Sequence, residues 1–299
     1  MGWSFCNSYS ETRTDIIAAM KVLVTGATGF IGNYVVEKLL LHNCTVIASS
    51  ANKEKASKAS WFEKVKYVTF DFNDFDEATD YFIFFDRPDL MVHLAWEGLP
   101  NYESSFHEEI NLPRHFAFLT NLIKNGLKDL TVTGTCLEYG MQEGCLREDM
   151  QTLPINPYGK SKDELRKRLK KFQINHPFHL KWVRLFYMYG NGQNSKSLFS
   201  QLNMALAKGD KVFNMSGGEQ VRDFLPVEEV AVNIAKIVLQ KKITGIINCC
   251  SGKPITVKEF VKDYLARQNK KITLNLGYYP YADYEPMKFW GDITKLSSL

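Results

Sequence analysis

From residue 20 onward, short apolar runs alternate with longer stretches in which apolar residues recur every three or four positions. The short runs, near 21–25, 44–48, 65–69, 90–94, 129–134, 180–186 and 245–249, have the length and Val/Ile/Leu content of buried strands. The periodic stretches, near 30–42, 75–84, 105–125, 157–175, 197–208, 227–240 and 256–268, predict amphipathic helices. Strict strand–helix alternation predicts an α/β fold, a doubly wound parallel sheet with its ligand at the carboxyl edge of the strands. From about Tyr189 the segments shorten and fill with glycine, proline and aromatic residues, which predicts a smaller C-terminal lobe. Residues 20–188 are thus read as a sheet domain and 189–299 mainly as the lobe, with a return to the sheet near 227–250. Residues 1–19 are mixed and polar, without the basic start and apolar core of a secretory leader, and are expected to be a poorly ordered extension.

Composition narrows the function. With 299 residues and 45% apolar content the chain can bury a large core. Its 37 basic and 33 acidic residues leave a net charge of only +4, too little for a nucleic-acid-binding field. The densest basic run, Arg166 to Lys171, falls on a predicted helix and reads as a solvated face. The six cysteines include no C-x-x-C pair, so thiols in a reducing cytosol are expected and no metal site is called for. No apolar stretch reaches membrane-spanning length. A cytoplasmic protein is expected.

Two motifs carry chemistry. Gly26, Gly29 and Gly32 lie where the strand Val22-Leu23-Val24 hands over to a helix. Such a corner aims bare backbone N–H groups and the positive end of a helix dipole at one point, which suits a diphosphate. Thr28, Phe30 and Ile31 complete this loop. Tyr158 and Lys162 stand four apart at the start of a helix, so both side chains share one face. A free phenol has a pKa of about 10, and bringing it to about 7 takes about 4 kcal/mol. A neighbouring ammonium is expected to supply part of that. Between the two motifs comes a hydroxyl-rich strand end, Thr131-Val-Thr-Gly-Thr135. The second strand ends in Ser49 and Ser50, with Asn52 and Lys53 following, where an NAD site commonly places a carboxylate. Donors there suit a 2′-phosphate, so NADP(H) is the predicted preference, with NAD(H) possible.

Together these residues make the chain resemble the extended short-chain dehydrogenase/reductase family, in its nucleotide-sugar branch, over almost everything from Met20 to Leu299. The matching segments are Gly26-Ala-Thr-Gly-Phe-Ile-Gly32, Thr133-Gly-Thr-Cys-Leu-Glu-Tyr-Gly140, the Tyr158/Lys162 pair, Arg184-Leu-Phe-Tyr-Met-Tyr-Gly190, Gln220-Val-Arg-Asp-Phe-Leu-Pro-Val227 and Gly291-Asp-Ile-Thr-Lys295. The resemblance implies a Rossmann-type sheet with a substrate-binding lobe. It gives Thr135 the catalytic hydroxyl position and Arg222 the substrate diphosphate. Asp71 and Phe72 fall at the adenine contact, with Leu94 and Ala95 along the cofactor. It also implies a homodimer through the helices near 105–125 and 157–175. The segment His93-Leu-Ala-Trp-Glu-Gly-Leu-Pro-Asn-Tyr102 is similar to bacterial reductases of nucleotide-linked 4-keto-6-deoxy sugars. That implies NADPH-dependent reduction of dTDP-4-dehydro-6-deoxyglucose to dTDP-fucose, for surface polysaccharide.

In the implied reaction Tyr158 protonates the forming alkoxide, Thr135 hydrogen-bonds the same oxygen, and Lys162 binds the nicotinamide ribose. A 4,6-dehydratase would carry an Asp-Glu pair where this chain has Cys136 and Leu137, so that outcome is not expected. An NAD-dependent 4-epimerase is the alternative, and a non-catalytic NADP-binding regulator a more distant one. Two departures from the family pattern stand out: Tyr187 follows Phe186 where Asn is usual, and Glu285 precedes Pro286 where Arg is frequent. Tyr187 is a substrate-binding candidate at the reorganised diphosphate contact, and Trp96, Tyr102, Tyr139, Tyr189, Tyr278, Tyr279 and Tyr281 are candidates to wall the sugar pocket. Leu198, Phe213 and Asn214 are placed near the nucleobase by position alone.

Overall fold

The computed structural model describes residues 19–281, 283 and 285–299; the expected N-terminal extension lies outside them but for Ala19. Seven parallel strands form the central sheet: β1 (Lys21–Thr25), β2 (Thr45–Ser50), β3 (Lys66–Thr69), β4 (Leu90–His93), β5 (Asp129–Thr135), β6 (His179–Leu185) and β7 (Gly245–Cys249). Their spatial order is β7-β6-β5-β4-β1-β2-β3. The chain first builds outward from β1 to β3 and then reverses through β4. The crevice between β1 and β4 is therefore the point at which a doubly wound sheet binds its ligand. Register brings Thr25 level with both Ser49 and His93 at the carboxyl edge.

The period-two pattern of β1 divides the core. Val22 and Val24 face a layer containing α1 (Phe30–Leu41) and its residues Val35, Val36 and Leu39, together with Ile234 and Val238. Leu23 faces the other layer, with Phe118, Leu122, Leu165 and Leu169. Those side chains come from α2 (Leu112–Lys124) and α3 (Pro157–Phe172). Ile234 and Val238 come from α4 (Val227–Leu239), whose return to the sheet delivers β7.

The small lobe holds a three-stranded sheet of Tyr187–Tyr189, Val221–Pro226 and Pro254–Thr256. Two helices, Leu198–Lys208 and Val257–Arg267, pack around Leu202, Phe213, Met215, Phe260 and Val261. The buried carboxylate of Asp223 stitches this lobe to the sheet. It accepts from the Ser251 and Gly252 N–H groups at 2.6 and 2.8 Å, and from the Ser251 hydroxyl at 2.7 Å.

Two expected helices differ. The stretch 75–84 is helical only over Tyr81–Phe84. Asp76 accepts from the Ala78 N–H and the Thr79 hydroxyl, and Asp80 caps Ile83, so side chains satisfy the backbone that a longer helix would have used. The helix expected from 105 opens instead as a π-turn, His107–Asn111, before α2 begins. Among the described residues no helix is long and apolar enough to cross a membrane.

Candidate active site

The glycine loop is built by close approach. Gly26 adopts φ 73°, and a Cβ there would come within 2.7 Å of the Ala95 nitrogen. A Cβ on Gly32 would lie 2.2 Å from the Gly26 carbonyl oxygen. The loop is thereby pressed onto Leu94 and Ala95 on one side and onto its own helix on the other. Gly29 is the N-cap of α1, and no side chain caps the helix. The first-turn N–H groups are therefore left as donors for an anion, and the donor set fits a dinucleotide diphosphate. Asn33, overlooked in the sequence although it directly follows the third glycine, laces the loop. Its amide donates to the carbonyls of Gly29 and Thr28 at 3.0 and 3.4 Å, and its oxygen accepts from the Trp61 indole at 3.1 Å.

Of the four residues expected to select a 2′-phosphate, three are engaged within the protein. Ser49 is buried, the Ser50 hydroxyl shares a hydrogen bond with the Tyr67 hydroxyl at 2.9 Å, and the Asn52 oxygen caps the Lys55 N–H at 2.7 Å. Only Lys53 is left as an exposed cation. Asp71 accepts from the Asn73 N–H at 2.8 Å, and the Phe72 ring is buried 4.4 Å from that of His115.

At the end of β5, Thr135 caps a short 3-10 turn, Cys136–Tyr139, by accepting from Leu137 at 3.2 Å. Behind it lies Glu138, fully buried, which sequence reading passed over. Its carboxylate accepts from the Thr135 N–H at 2.9 Å, the Trp182 indole at 2.9 Å and the Arg184 Nε–H at 2.8 Å. Gly134 permits this, because a Cβ there would meet Glu138 and Trp182 at 2.3 and 2.2 Å. Helix α3 starts with Pro157 after the N-cap Asn156, which accepts from Gly159 at 2.8 Å. Its first turns present Tyr158 and Lys162, both buried. The Thr135 hydroxyl adjoins the Tyr158 phenol and favours its ionised form.

Electrostatics depart from expectation. Burial pushes the Tyr158 phenol well above its ordinary range and outweighs the opposing pull of the Thr135 hydroxyl. The Lys162 ammonium lies over the Trp96 ring, 4.1 Å from the centroid. Burial lowers Lys162 itself to about 7.

Arg222 is buried and faces Glu285, with its guanidinium 4.6 Å from the Phe289 ring centroid and 5.5 Å from that of Tyr187. The charges of Arg222 and Glu285 both reach Cys136 and Tyr187, so this pair adjoins the Thr135 turn. The remaining sugar-pocket candidates scatter. Tyr139 is buried and donates to the Asn248 side chain at 2.8 Å, while Tyr278 and Tyr279 are more than half exposed. Leu198 opens its lobe helix and packs, half-buried, against the lobe core.

A family model described as the NAD dependent epimerase/dehydratase family matches residues 22–250. The chain belongs to that family. The chain is similar to the dTDP-6-deoxy-L-talose 4-dehydrogenase (NAD(+)) of Aggregatibacter actinomycetemcomitans, at 29% identity over 91% of this chain and 99% of the relative. A GDP-6-deoxy-D-talose 4-dehydrogenase of the same organism is 28% identical over 78% of this chain and 75% of its own length. In fold, this epimerase/dehydratase chain is similar to the UDP-glucuronic acid 4-epimerase of Bacillus cereus, solved with UDP-glucuronic acid and NAD. The two are 23% identical with a TM-score of 0.79, covering 94% and 92% of the two chains. The names of these proteins specify NAD where they specify a cofactor, so the NADP preference expected from residues 49–53 finds no support.

Proposed function

We propose that this enzyme interconverts the 4-keto and 4-hydroxyl forms of a nucleotide-linked 6-deoxyhexose, using NAD(H). The observation that carries the reading is the Thr135–Tyr158 hydroxyl pair, with Lys162 one helical turn on, beside the glycine cradle. Gly26, Thr28, Gly29, Phe30, Ile31 and Gly32 would hold the cofactor diphosphate, with Leu94 and Ala95 along its length. When bound, a nicotinamide cofactor supplies or accepts the hydride. Tyr158 gives its phenolic proton to the alkoxide formed at C4, or takes the C4 hydroxyl proton in reverse. Thr135 donates to the same oxygen, and its turn is fixed by Glu138. Burial, which pushes the phenol up, keeps it protonated as an acid for the reductive direction.

The 6-deoxyhexose assignment is supported by the two 6-deoxytalose 4-dehydrogenase relatives and by the segment from His93 to Tyr102. dTDP-4-dehydro-6-deoxyglucose, the substrate expected from sequence, is retained beside the talose series. A 4-epimerase is the second reading, favoured by the solved epimerase of like fold. A homodimer through α2 and α3 belongs to the same proposal and is checked by sedimentation.

The test supplies dTDP-6-deoxy-L-talose with NAD+, and dTDP-4-dehydro-6-deoxyglucose with NADH or NADPH, and follows nicotinamide absorbance, with products identified by NMR. Net oxidation or reduction is expected, falling about 10²–10⁴-fold in Tyr158→Phe while cofactor binding persists. Isomerisation without net cofactor change would assign the epimerase. Cofactor binding with no turnover on any of these sugars would overturn the enzymatic reading.

A further inference from the structure

We propose that Trp96 is a positioning residue for Lys162: an indole locked in place by buried histidines holds the lysine ammonium over its ring face. The proposal rests on the reading of Lys162 as part of the active site, and adds what fixes that side chain.

Lys162 is 2% exposed, and among the described residues no carboxylate lies within ion-pair distance of it. The Glu138 carboxylate acts on it only from beyond ion-pair distance, and the Trp96 ring lies against the ammonium at 4.1 Å. A buried ammonium without a counter-ion is costly, and an aromatic face is one of the few uncharged surfaces that offsets it.

The indole is itself fixed from two directions. Its N–H donates to His107 Nδ1 at 3.1 Å. The other ring nitrogen, Nε2, stands 2.8 Å from the Asn101 carbonyl, which can only accept, so Nε2 carries the proton and Nδ1 is a bare acceptor. The two contacts require one neutral tautomer, and burial favours the neutral ring. From the second direction the His115 ring stacks on the indole at 4.7 Å and 17°. His115 Nδ1 pairs with His93 Nε2 at 2.9 Å, and His93 Nδ1 with the Thr25 hydroxyl at 2.8 Å. Thr25 ends β1 and immediately precedes Gly26. A continuous brace thus runs from the root of the glycine loop to the lysine on α3, through the buried Thr25, His93 and His115 and the half-buried Trp96. The sequence placed Trp96 in the sugar-pocket wall. Its ring is engaged by Lys162 and His115.

The experiment compares Trp96→Leu and Trp96→Phe by two readouts. The first is the rate at which Lys162 is acetylated in the folded, cofactor-free protein, measured on its peptide by mass spectrometry. The second is the division of any catalytic loss between kcat and the cofactor KM. Trp96→Leu is expected to raise Lys162 acetylation and to lower kcat/KM about tenfold, while Trp96→Phe, which keeps a π face, restores both to within about threefold. If Trp96→Leu does not fold, a ring-fluorinated tryptophan placed at position 96 keeps the shape while draining the negative face, and the same rise in acetylation is expected. Unchanged Lys162 acetylation in both the leucine variant and the fluorinated protein overturns the proposal, as does a phenylalanine variant no better than leucine. The reading beneath it fails separately, if Lys162→Met itself retains wild-type turnover.

Discussion

The Arg222 guanidinium donates to the Glu285 carboxylate at 3.0 Å, while its other nitrogen donates to the carbonyls of Val221 and Met287. An arginine expected to meet a diphosphate is thus already matched by an acid at a position where the wider family frequently has a second arginine. Any phosphate arriving at Arg222 competes with that carboxylate. Glu285→Gln is expected to tighten binding of dTDP about tenfold, because a charge-assisted hydrogen bond is replaced by a neutral one. Arg222→Met should weaken it by at least as much. Calorimetric titration decides: equal dTDP affinity in wild type and Glu285→Gln would mean that the pair does not compete with the ligand.

The glycine loop gives a contrast between neighbours. Gly32→Ala drives a methyl group into the Gly26 and Ala27 carbonyls at 2.2 and 2.8 Å, backbone atoms that cannot swing aside. It should cost about 1–3 kcal/mol of stability and abolish cofactor binding. Gly29→Ala meets only the Gly26 carbonyl at 3.0 Å, so the protein should keep most of its stability and still lose cofactor affinity. Urea melts alongside NAD titrations separate the two effects.

Lys162 makes stability depend on pH in a definite sense. Its pKa falls from 10.5 to about 7 on burial. Between those values the unfolded chain holds the proton and the folded chain releases it, so stability rises with pH across that window. Below about 7 both states are protonated and the penalty is at its full size, on the order of a few kcal/mol. Lys162→Met should therefore melt higher than wild type on the acid side, with the difference closing toward the upper end of the window. Thermal melts of the cofactor-free protein at several pH values measure this, and a pH-independent difference would refute it.

Glu138 gathers three donors on one buried carboxylate, and Arg184, equally buried, depends on it for charge balance. Glu138→Gln leaves that guanidinium uncompensated and turns an amide N–H toward existing donors. A loss of about 3–5 kcal/mol is expected in chemical denaturation. Turnover should fall as well, since the turn that carries Thr135 is anchored on this side chain.

The sheet was readable from sequence because buried parallel strands are mostly apolar runs, and each of the seven falls where a strand was expected, including the less buried edge strand β3. The lobe strands, three to six residues long, carry too few positions to show a period, and none was anticipated. Spacing also placed Tyr158 and Lys162 on one helical face, since four residues make about one turn. Spacing could not report that Lys162 turns toward Trp96, because that depends on residues 93, 107 and 115, which meet only in the folded chain. The Arg222–Glu285 pair was hidden for the same reason: its partners are 63 residues apart and reveal their distance only through tertiary structure.

Strand β7 is made after the first half of the small lobe, yet it sits beside β6 in the central sheet. A nascent chain that has emerged only as far as Tyr189 would therefore carry β6 as a bare edge, with its outward N–H and C=O groups unpaired. It would also lack Ile234 and Val238, which close one face of the core. The central sheet thus cannot close on the ribosome until the chain has passed through the first half of the smaller lobe, and a fragment cut at Tyr189 leaves that sheet one strand short.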